Sequence, residues 1–185
     1  MKILCTEFSA QGTVSTVTAG DDMLLRVNQD FYVPEFAAYL SCVPQVVVKI
    51  DKLGKYISER FASRYYNQMA AGIVFHADAL EEKMRIEELP IAPSFTFEGA
   101  GALGEMQPFK ANSELTFKIN GEEIFTQNIS ELPVSIDKGV SEASKYHLMK
   151  IGDLVYSGNN LRFPVKVGDK LELILNGQSL YCEIK

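Results

Sequence analysis

Residues 39–52, YLSCVPQVVVKIDK, carry the strongest indication of the fold. Within this stretch, residues 42–50 are the longest β-branched run of the chain, and such a run predicts a central strand. Pro44 and the uncharged amide of Gln45 interrupt its first half. A proline cannot donate a hydrogen bond to a neighbouring strand. The stretch therefore predicts a central strand whose first half is a candidate functional site.

A helix is predicted directly after this strand, within KLGKYISERFASRYYNQMAAG at residues 52–72. Apolar side chains recur there at four-residue spacing: Ile57, Phe61, Tyr65 and Met69. This spacing places one apolar stripe along a helix, which we expect to end near Gly72. A short strand is predicted at residues 72–75. Asp78 is then placed to cap a second helix that begins ALEEKMR.

The remainder of the chain is dominated by strand patterns. Residues 89–109 are punctuated by proline and glycine and predict a long irregular loop, which is uncommon unless it covers a site. Asn120 and Gly121 separate two alternating runs and predict a β-hairpin. A helix is predicted at residues 135–148, and further strands at residues 1–5, 23–27, 154–156, 171–175 and 180–184. No linker or repeat is visible, so we expect one β-rich α+β domain spanning residues 1–185.

Composition limits the classes of function. The chain has 185 residues, 46% of them apolar, as expected for one globular domain. Its net charge is 18 − 24 = −6 without a basic block, which argues against nucleic acid as a partner. The cysteines Cys5, Cys42 and Cys182 form no CxxC motif and predict buried reduced thiols. No signal peptide and no apolar run of about 20 residues is present, so we expect a cytoplasmic protein that does not enter a membrane.

Several segments together resemble the fumarylacetoacetate hydrolase family. They are LLRVNQDFYVPEF at residues 24–36, the run VVVKIDKLGKYISERFASRYYNQMAAGI at residues 46–73, the hairpin around Asn120 and Gly121, and KIGDLVYSGNN at residues 150–160. The similarity is continuous from about Met23 and weak over residues 1–22. It implies a mixed β-roll of the fumarylacetoacetate hydrolase C-terminal domain type and a homodimer. It also implies Mg²⁺ or Mn²⁺ as cofactor, and hydrolysis, decarboxylation, hydration or isomerisation of small oxo-acids.

The resemblance also shows what this chain lacks. The family holds its metal with a Glu-x-Glu on the central strand and an aspartate on a following strand, because residues i and i+2 share a face and hard cations bind carboxylate oxygens. Those three positions are occupied here by Val43, Gln45 and Val74. Each close ion pair contributes roughly 4 kcal/mol at an effective dielectric constant of about 20. We therefore expect no metal in this chain.

The other catalytic elements of the family also differ. Phe95 and Glu98 stand at its lysine and aspartate positions, and Ser157, Gly158, Asn159 and Asn160 replace its Thr-Gly-Thr-Pro. The family's His and Glu dyad falls in AQGTVSTVT at residues 10–18, which contains neither residue. The resemblance thus implies a catalytically inactive protein, a pseudoenzyme, with a vestigial pocket. Its expected lining is Val43, Gln45, Val74, His76, Phe95, Glu98, Ser157, Asn159 and Asn160.

Several alternatives remain open from the sequence. His76 is either a structural residue or a new ligand or base on the face of Val74. The amides of Asn159 and Asn160 are candidates for binding a small anion. Asp78, Glu81 and Glu82 are expected to form a cap and a solvated first helical turn. The chain is either inactive with a ligand-binding, regulatory or scaffold role, or an enzyme with relocated chemistry that uses His76, Glu98 or Asn159. Its partner is a second copy or an active homologue.

Overall fold

The computed structural model describes residues 1–9, 12–25 and 29–185. The strands are β1 (Ile3–Phe8), β2 (Val14–Ala19), β3 (Leu40–Ile50), β4 (Tyr66–Ala77), β5 (Gly101–Leu103), β6 (Gln107–Pro108), β7 (Glu114–Ile119), β8 (Glu122–Asn128), β9 (Leu154–Ser157), β10 (Phe163–Val165), β11 (Lys170–Leu175) and β12 (Gln178–Glu183). The α-helices are α1 (Asp78–Ile86) and α2 (Ile136–Tyr146). Short 3₁₀-helices lie at Asp21–Met23, Glu59–Tyr65, Ala92–Ser94 and Ile129–Glu131. The predicted β-rich α+β class is confirmed.

The strands form two sheets. The larger has the order β2-β1-β9-β3-β4-β5, with β10 added beside β3 and β6 beside β4. The smaller has the order β12-β11-β7-β8. The β1–β9 pair is parallel and the other strand pairs are antiparallel, so the larger sheet is mixed. The smaller sheet contains the predicted hairpin, whose turn residues Asn120 and Gly121 both have positive φ, as a type I′ turn requires.

Strand β3 lies inside the larger sheet, as the sequence predicts. It pairs with β4 along its whole length, from Leu40 opposite Ala77 to Ile50 opposite Tyr66. On its other edge, β10 pairs with residues 40–42 and β9 with residues 46–49. Residues 43–45 therefore lie in a gap between these two neighbours. Pro44 is tolerated inside the sheet because its missing N–H falls in this gap.

The predicted helix over residues 52–72 is wrong. The chain forms a 3₁₀-helix at Glu59–Tyr65, and β4 begins at Tyr66. The four-residue apolar spacing corresponds to about one helical turn and also to two repeats of a strand, so it does not separate the two structures. Pairing with β3 decides between them, because it buries Tyr66 and Met69 in the core. The predicted short strand at 72–75 is the central part of this longer strand.

The two α-helices lie close to their predicted positions, but the cap of α1 differs. Ser135 accepts a hydrogen bond from the backbone N–H of Lys138 and caps α2. Ala77 is the N-cap of α1, so Asp78 is the first helical residue and not the cap. Its carboxylate accepts a hydrogen bond from Ser41 Oγ at 2.8 Å instead. Glu81 is buried, which contradicts the expected solvated first turn.

Residues 89–109 extend the larger sheet and are not only a loop. β5 pairs with residues 72–74 of β4, and β6 pairs with Gln68 and Met69. Phe95 and Ala100 are fully buried between these elements and the sheet. The segment therefore fills space on one face of the sheet. The predicted strand at 23–27 is present only as a bridge from Leu24 to Gly101, and residues 26–28 lie outside the described part.

Two apolar clusters lie on opposite faces of the larger sheet. The larger cluster includes Cys42, Val46 and Val48 of β3 and packs against the smaller sheet through residues such as Leu171 and Leu173. The smaller cluster lies on the other face: Ile3, Cys5, Met23, Val47, Val74, Phe95, Ala100, Leu154 and Tyr156. All three cysteines are free and buried, as predicted. Within the described residues, no helix is long and apolar enough to cross a membrane.

Gly72 is expected to be required for the packing of the smaller cluster. A Cβ at this position would collide with the Val47 side chain and lie 2.7 Å from Cε1 of Tyr156. Because overpacking a core costs about 1–3 kcal/mol, we expect Gly72→Ala to lower the free energy of unfolding by this amount in urea denaturation. Gly121→Asn is the control, since Gly121 has open space around it and asparagine tolerates positive φ. Equal stability of Gly72→Ala and the wild type would contradict this packing.

Candidate functional site

One face of the β3–β4 pair carries four of the residues that the sequence places in a vestigial pocket. Val43 and Gln45 are two positions apart on β3, and Val74 and His76 are two positions apart on β4, so each pair points to one face. Val43 lies directly opposite Val74 in the ladder, and Gln45 lies opposite Gly72. The structure therefore brings together the three positions at which the family resemblance places metal ligands.

The centre of this face is closed by apolar side chains. Val43, Val74 and Phe95 are between 1% and 3% exposed. Tyr156 lies beside them and is completely buried, and its Oη donates a hydrogen bond to the Ala102 carbonyl at 3.1 Å. Burial raises the pKa of the Tyr156 hydroxyl well above its ordinary value, so this group stays protonated. The centre of the face is packed as a core.

Hydrogen bonds of Gln45 and Asn159 join β3 to the segment after β9 across the gap beside β3. Gln45 Nε2 donates to the Asn159 carbonyl at 3.0 Å, and Asn159 Nδ2 donates to the Pro44 carbonyl at 2.7 Å. Asn159 Oδ1 also accepts from the Leu161 N–H at 3.0 Å. Gln45 Oε1 is buried without a partner in the described part of the chain. These bonds replace the sheet pairing that Pro44 cannot make.

His76 lies at the edge of the same face and is 1% exposed. Its ring stacks on Phe95 with centroids 5.0 Å apart and an interplanar angle of 27°. Nδ1 lies 3.7 Å from Oε2 of Glu81, which is beyond hydrogen-bond distance. Neither ring nitrogen has a hydrogen-bond partner among the described residues. His76 is thus a buried histidine with unused hydrogen-bonding capacity.

A network of charged side chains surrounds His76 on the side of α1. Arg162 contacts Oε2 of Glu81 at 2.8 Å and Oδ1 of Asp78 at 3.1 Å. Arg85 contacts Oε1 of Glu81 at 2.7 Å. The pKa of Glu81 is held well below its ordinary value, most strongly by His76 and further by Arg162 and Arg85, against the opposing effect of burial. Glu81 is therefore ionised at neutral pH.

Glu7 is a second carboxylate near this network. It follows Ile3 and Cys5 on alternate positions of β1, so it faces the smaller cluster. Burial raises the pKa of Glu7, while His76 and Arg162 lower it to a smaller extent. Sequence reasoning missed Glu7 and Arg162. Alternation along β1 is a signal for Glu7, whereas nothing in the sequence indicates that Arg162 reaches α1.

Three of the sequence-predicted pocket residues lie elsewhere. Ser157 is buried on the opposite face, where its Oγ packs against Gly139 of α2. Asn160 is exposed, and its Nδ2 donates to the Phe8 carbonyl at 3.0 Å. Glu98 is exposed and lines a surface cavity of about 720 Å³ together with Asp21, Asp22 and Asp30. This cavity contains none of Val43, Gln45 and Val74.

The residues at the positions where the family resemblance places metal ligands do not fit a divalent cation. Mg²⁺ and Mn²⁺ bind several carboxylate or carbonyl oxygens, and these three positions offer only the amide of Gln45. Across the described ranges, no group of three or more His, Cys, Asp or Glu side chains is arranged to hold a metal ion. No step of a metal-dependent reaction follows from these residues.

Comparison with known proteins identifies the fold. No protein-family model matches the chain, and no curated protein matches it. Solved structures match it closely. They include a protein from Yersinia pestis described as a member of the fumarylacetoacetate hydrolase family, with 20% identity, a TM-score of 0.87 and coverage of 100% of this chain and 92% of that one.

Two other solved structures are enzymes. Fumarylpyruvate hydrolase from Pseudomonas aeruginosa, in complex with Mn²⁺ and pyruvate, has 17% identity, a TM-score of 0.89 and coverage of 100% and 89% of the two chains. A 5-carboxymethyl-2-hydroxymuconate delta-isomerase from Mycobacterium smegmatis has 14% identity, a TM-score of 0.85 and coverage of 99% and 78%. The chain therefore has the fold of fumarylacetoacetate hydrolase family proteins, as the sequence resemblance implies. At these identities the likeness concerns the fold alone.

Glu7 is expected to destabilise the protein at neutral pH. Because the pKa of Glu7 is raised, the folded state favours its protonated form. The stabilisation from this protonated form is complete below pH 4.5, the ordinary pKa of the group, and is lost as the pH rises through the folded pKa. Glu7→Gln removes the penalty, so it should raise the Tm at pH 7, with a gain that shrinks as the pH falls through the folded pKa and is absent below pH 4.5. Thermal unfolding between pH 4 and 8 measures this, with the exposed Glu105→Gln as control. A lower Tm for Glu7→Gln at pH 7 would contradict the placement of Glu7.

Proposed function

We propose that this protein is a catalytically inactive relative of the fumarylacetoacetate hydrolases, with a metal-free vestigial site and a ligand-binding, regulatory or scaffold role. One observation carries the proposal: Val43 and Val74 face each other, buried, at the positions where the family resemblance places two metal ligands. An ionised oxygen ligand would have to displace this packing. The Glu81 carboxylate, beyond His76 on this side of the sheet, is already paired with two arginines.

The proposed partner is a second copy of the chain or an active homologue. An inactive subunit can regulate or scaffold an active one that supplies the catalytic site. The proposed compartment is the cytoplasm, and the three free cysteines support it, because buried reduced thiols are typical of reducing compartments.

A second candidate function is metal-free acid–base chemistry on small oxo-acids. The observation that favours it is the opposite pKa shifts of two carboxylates that both interact with His76, raised for Glu7 and lowered for Glu81. Such pairs are typical of groups that exchange protons with a substrate. Against it, Phe95 covers the buried ring of His76. We therefore rank it second.

A metal-binding experiment distinguishes the proposed metal-free, inactive protein from a metal-dependent enzyme. A protein that binds metal only when folded gains about 2.7 kcal/mol at a hundredfold excess over Kd. We expect no change in the Tm of the wild type with Mg²⁺ or Mn²⁺. We expect the triple variant V43E/Q45E/V74D to be less stable than the wild type without metal, because three carboxylates are buried together, and to regain stability with Mn²⁺.

The control for this experiment carries three new glutamates at exposed positions, S15E/S58E/S63E. It should respond to Mn²⁺ no more than the wild type does. A rise in the wild-type Tm with Mn²⁺ that V43E/Q45E/V74D does not exceed would refute the loss of the metal site.

An activity assay distinguishes the two candidate functions. Turnover of oxaloacetate, acylpyruvates or fumarylpyruvate is expected to stay at background with and without Mn²⁺. Metal-independent turnover that disappears in His76→Gln would establish the second candidate instead. Metal-dependent turnover would exclude both.

A further inference from the structure

Residues 158–162 form a short connection between β9 and β10, here named the strap. Both flanking strands pair with β3, through Ser157 opposite Val46 and Phe163 opposite Cys42. The strap therefore bridges the gap beside Val43, Pro44 and Gln45. Its two ends are held by different kinds of interaction.

The inner end of the strap is fixed by neutral hydrogen bonds in the core. Asn159 is completely buried and bonds to Pro44 and Gln45 of β3. Gly158 has a φ of +125°, a conformation that side chains rarely adopt, and a Cβ there would lie 3.1 Å from Leu132. Buried hydrogen bonds and close packing against Leu132 therefore hold this end in place.

The outer end is held by charge. Leu161 is half-exposed, and the Arg162 side chain is 34% exposed while it bonds to Glu81 and Asp78 of α1. Asn160 adds one exposed hydrogen bond to the Phe8 carbonyl. Charge-assisted bonds near a surface weaken with salt and with loss of one partner. The outer end is thus easier to release than the inner end.

His76 lies beneath this outer end. Oε2 of Glu81 contacts Arg162 at 2.8 Å and lies 3.7 Å from Nδ1 of His76, so Glu81 is next to both groups. Exposure falls from 34% for the Arg162 side chain to 7% for Glu81 and 1% for His76. On the opposite side, Phe95 stacks on the imidazole.

We infer that the strap is a lid over His76, which Arg162 fastens to Glu81 and Asp78 and which opens at its outer end. In the open state, the imidazole, the Glu81 carboxylate and the guanidinium of Arg162 would face solvent together. Access to His76 lies beyond the proposed function, because it is independent of whether the chain turns over a substrate or binds a metal.

The chain contains two histidines, which makes the lid directly measurable. His147 is half-buried, lies 3.0 Å from Thr18 Oγ1, and serves as the internal reference. Diethylpyrocarbonate modification, followed by mass spectrometry, reports the reaction rate of each ring. In the wild type we expect His76 to react much more slowly than His147. In Arg162→Gln we expect the His76 rate to rise about tenfold, because the ion pairs of Arg162 with Glu81 and Asp78 are lost.

Arg60→Gln is the matched control, because Arg60 is exposed and stacks on Phe61, away from His76. It should leave the His76 rate unchanged. Raising NaCl from 0.1 to 1 M should accelerate modification of His76 in the wild type and have little effect in Arg162→Gln.

Hydrogen exchange separates lid opening from general unfolding. In Arg162→Gln we expect faster exchange at residues 160–162, while the amides of β7 and β8 remain protected. Equal His76 rates in Arg162→Gln and the wild type would overturn the inference. So would acceleration of His76 together with loss of protection in β7 and β8, because His76 would then be reached by unfolding of the whole chain.

Discussion

The pairing of β3 with β4 is the constraint on which the rest of the structure depends. The two strands are paired from Leu40 opposite Ala77 to Ile50 opposite Tyr66. Their alternating side chains supply both apolar clusters, one on each face of the sheet. The same register sets Val43 opposite Val74. A shift by one residue would exchange the two faces and destroy both clusters, so the register is fixed by burial.

This pairing also determines where charge is tolerated. The centre of the face, between Val43, Val74, Phe95 and Tyr156, is sealed from water, and an unpaired charge there would be very unfavourable. Ionised groups instead lie at the end of the face next to α1, where Glu81 is neutralised by Arg85 and Arg162. His76 lies between the two environments, against Phe95 on one side and near Glu81 on the other.

The sequence predicts those parts of the molecule in which local pattern and tertiary structure agree. The strand at residues 42–50, the Asn120-Gly121 hairpin and the helix beginning after Ser135 have patterns that permit one structure. Residues 52–72 do not, because their four-residue spacing fits a helix and a strand equally, and only the partner strand decides. The convergence of Val43, Gln45 and Val74 follows from alternation and register. Arg162 could not be predicted, because its ion pairs join residues separated by about eighty positions and depend on how the strap crosses the sheet.

Pro44 has a consequence for how this sheet interacts with other chains. The gap beside residues 43–45 leaves a short length of strand without a strand partner on that edge, and unpaired strand edges can add foreign strands by backbone pairing. A proline offers no N–H there, and the amide of Asn159 already occupies its carbonyl. The gap therefore offers a foreign strand neither a free N–H nor a free carbonyl at Pro44.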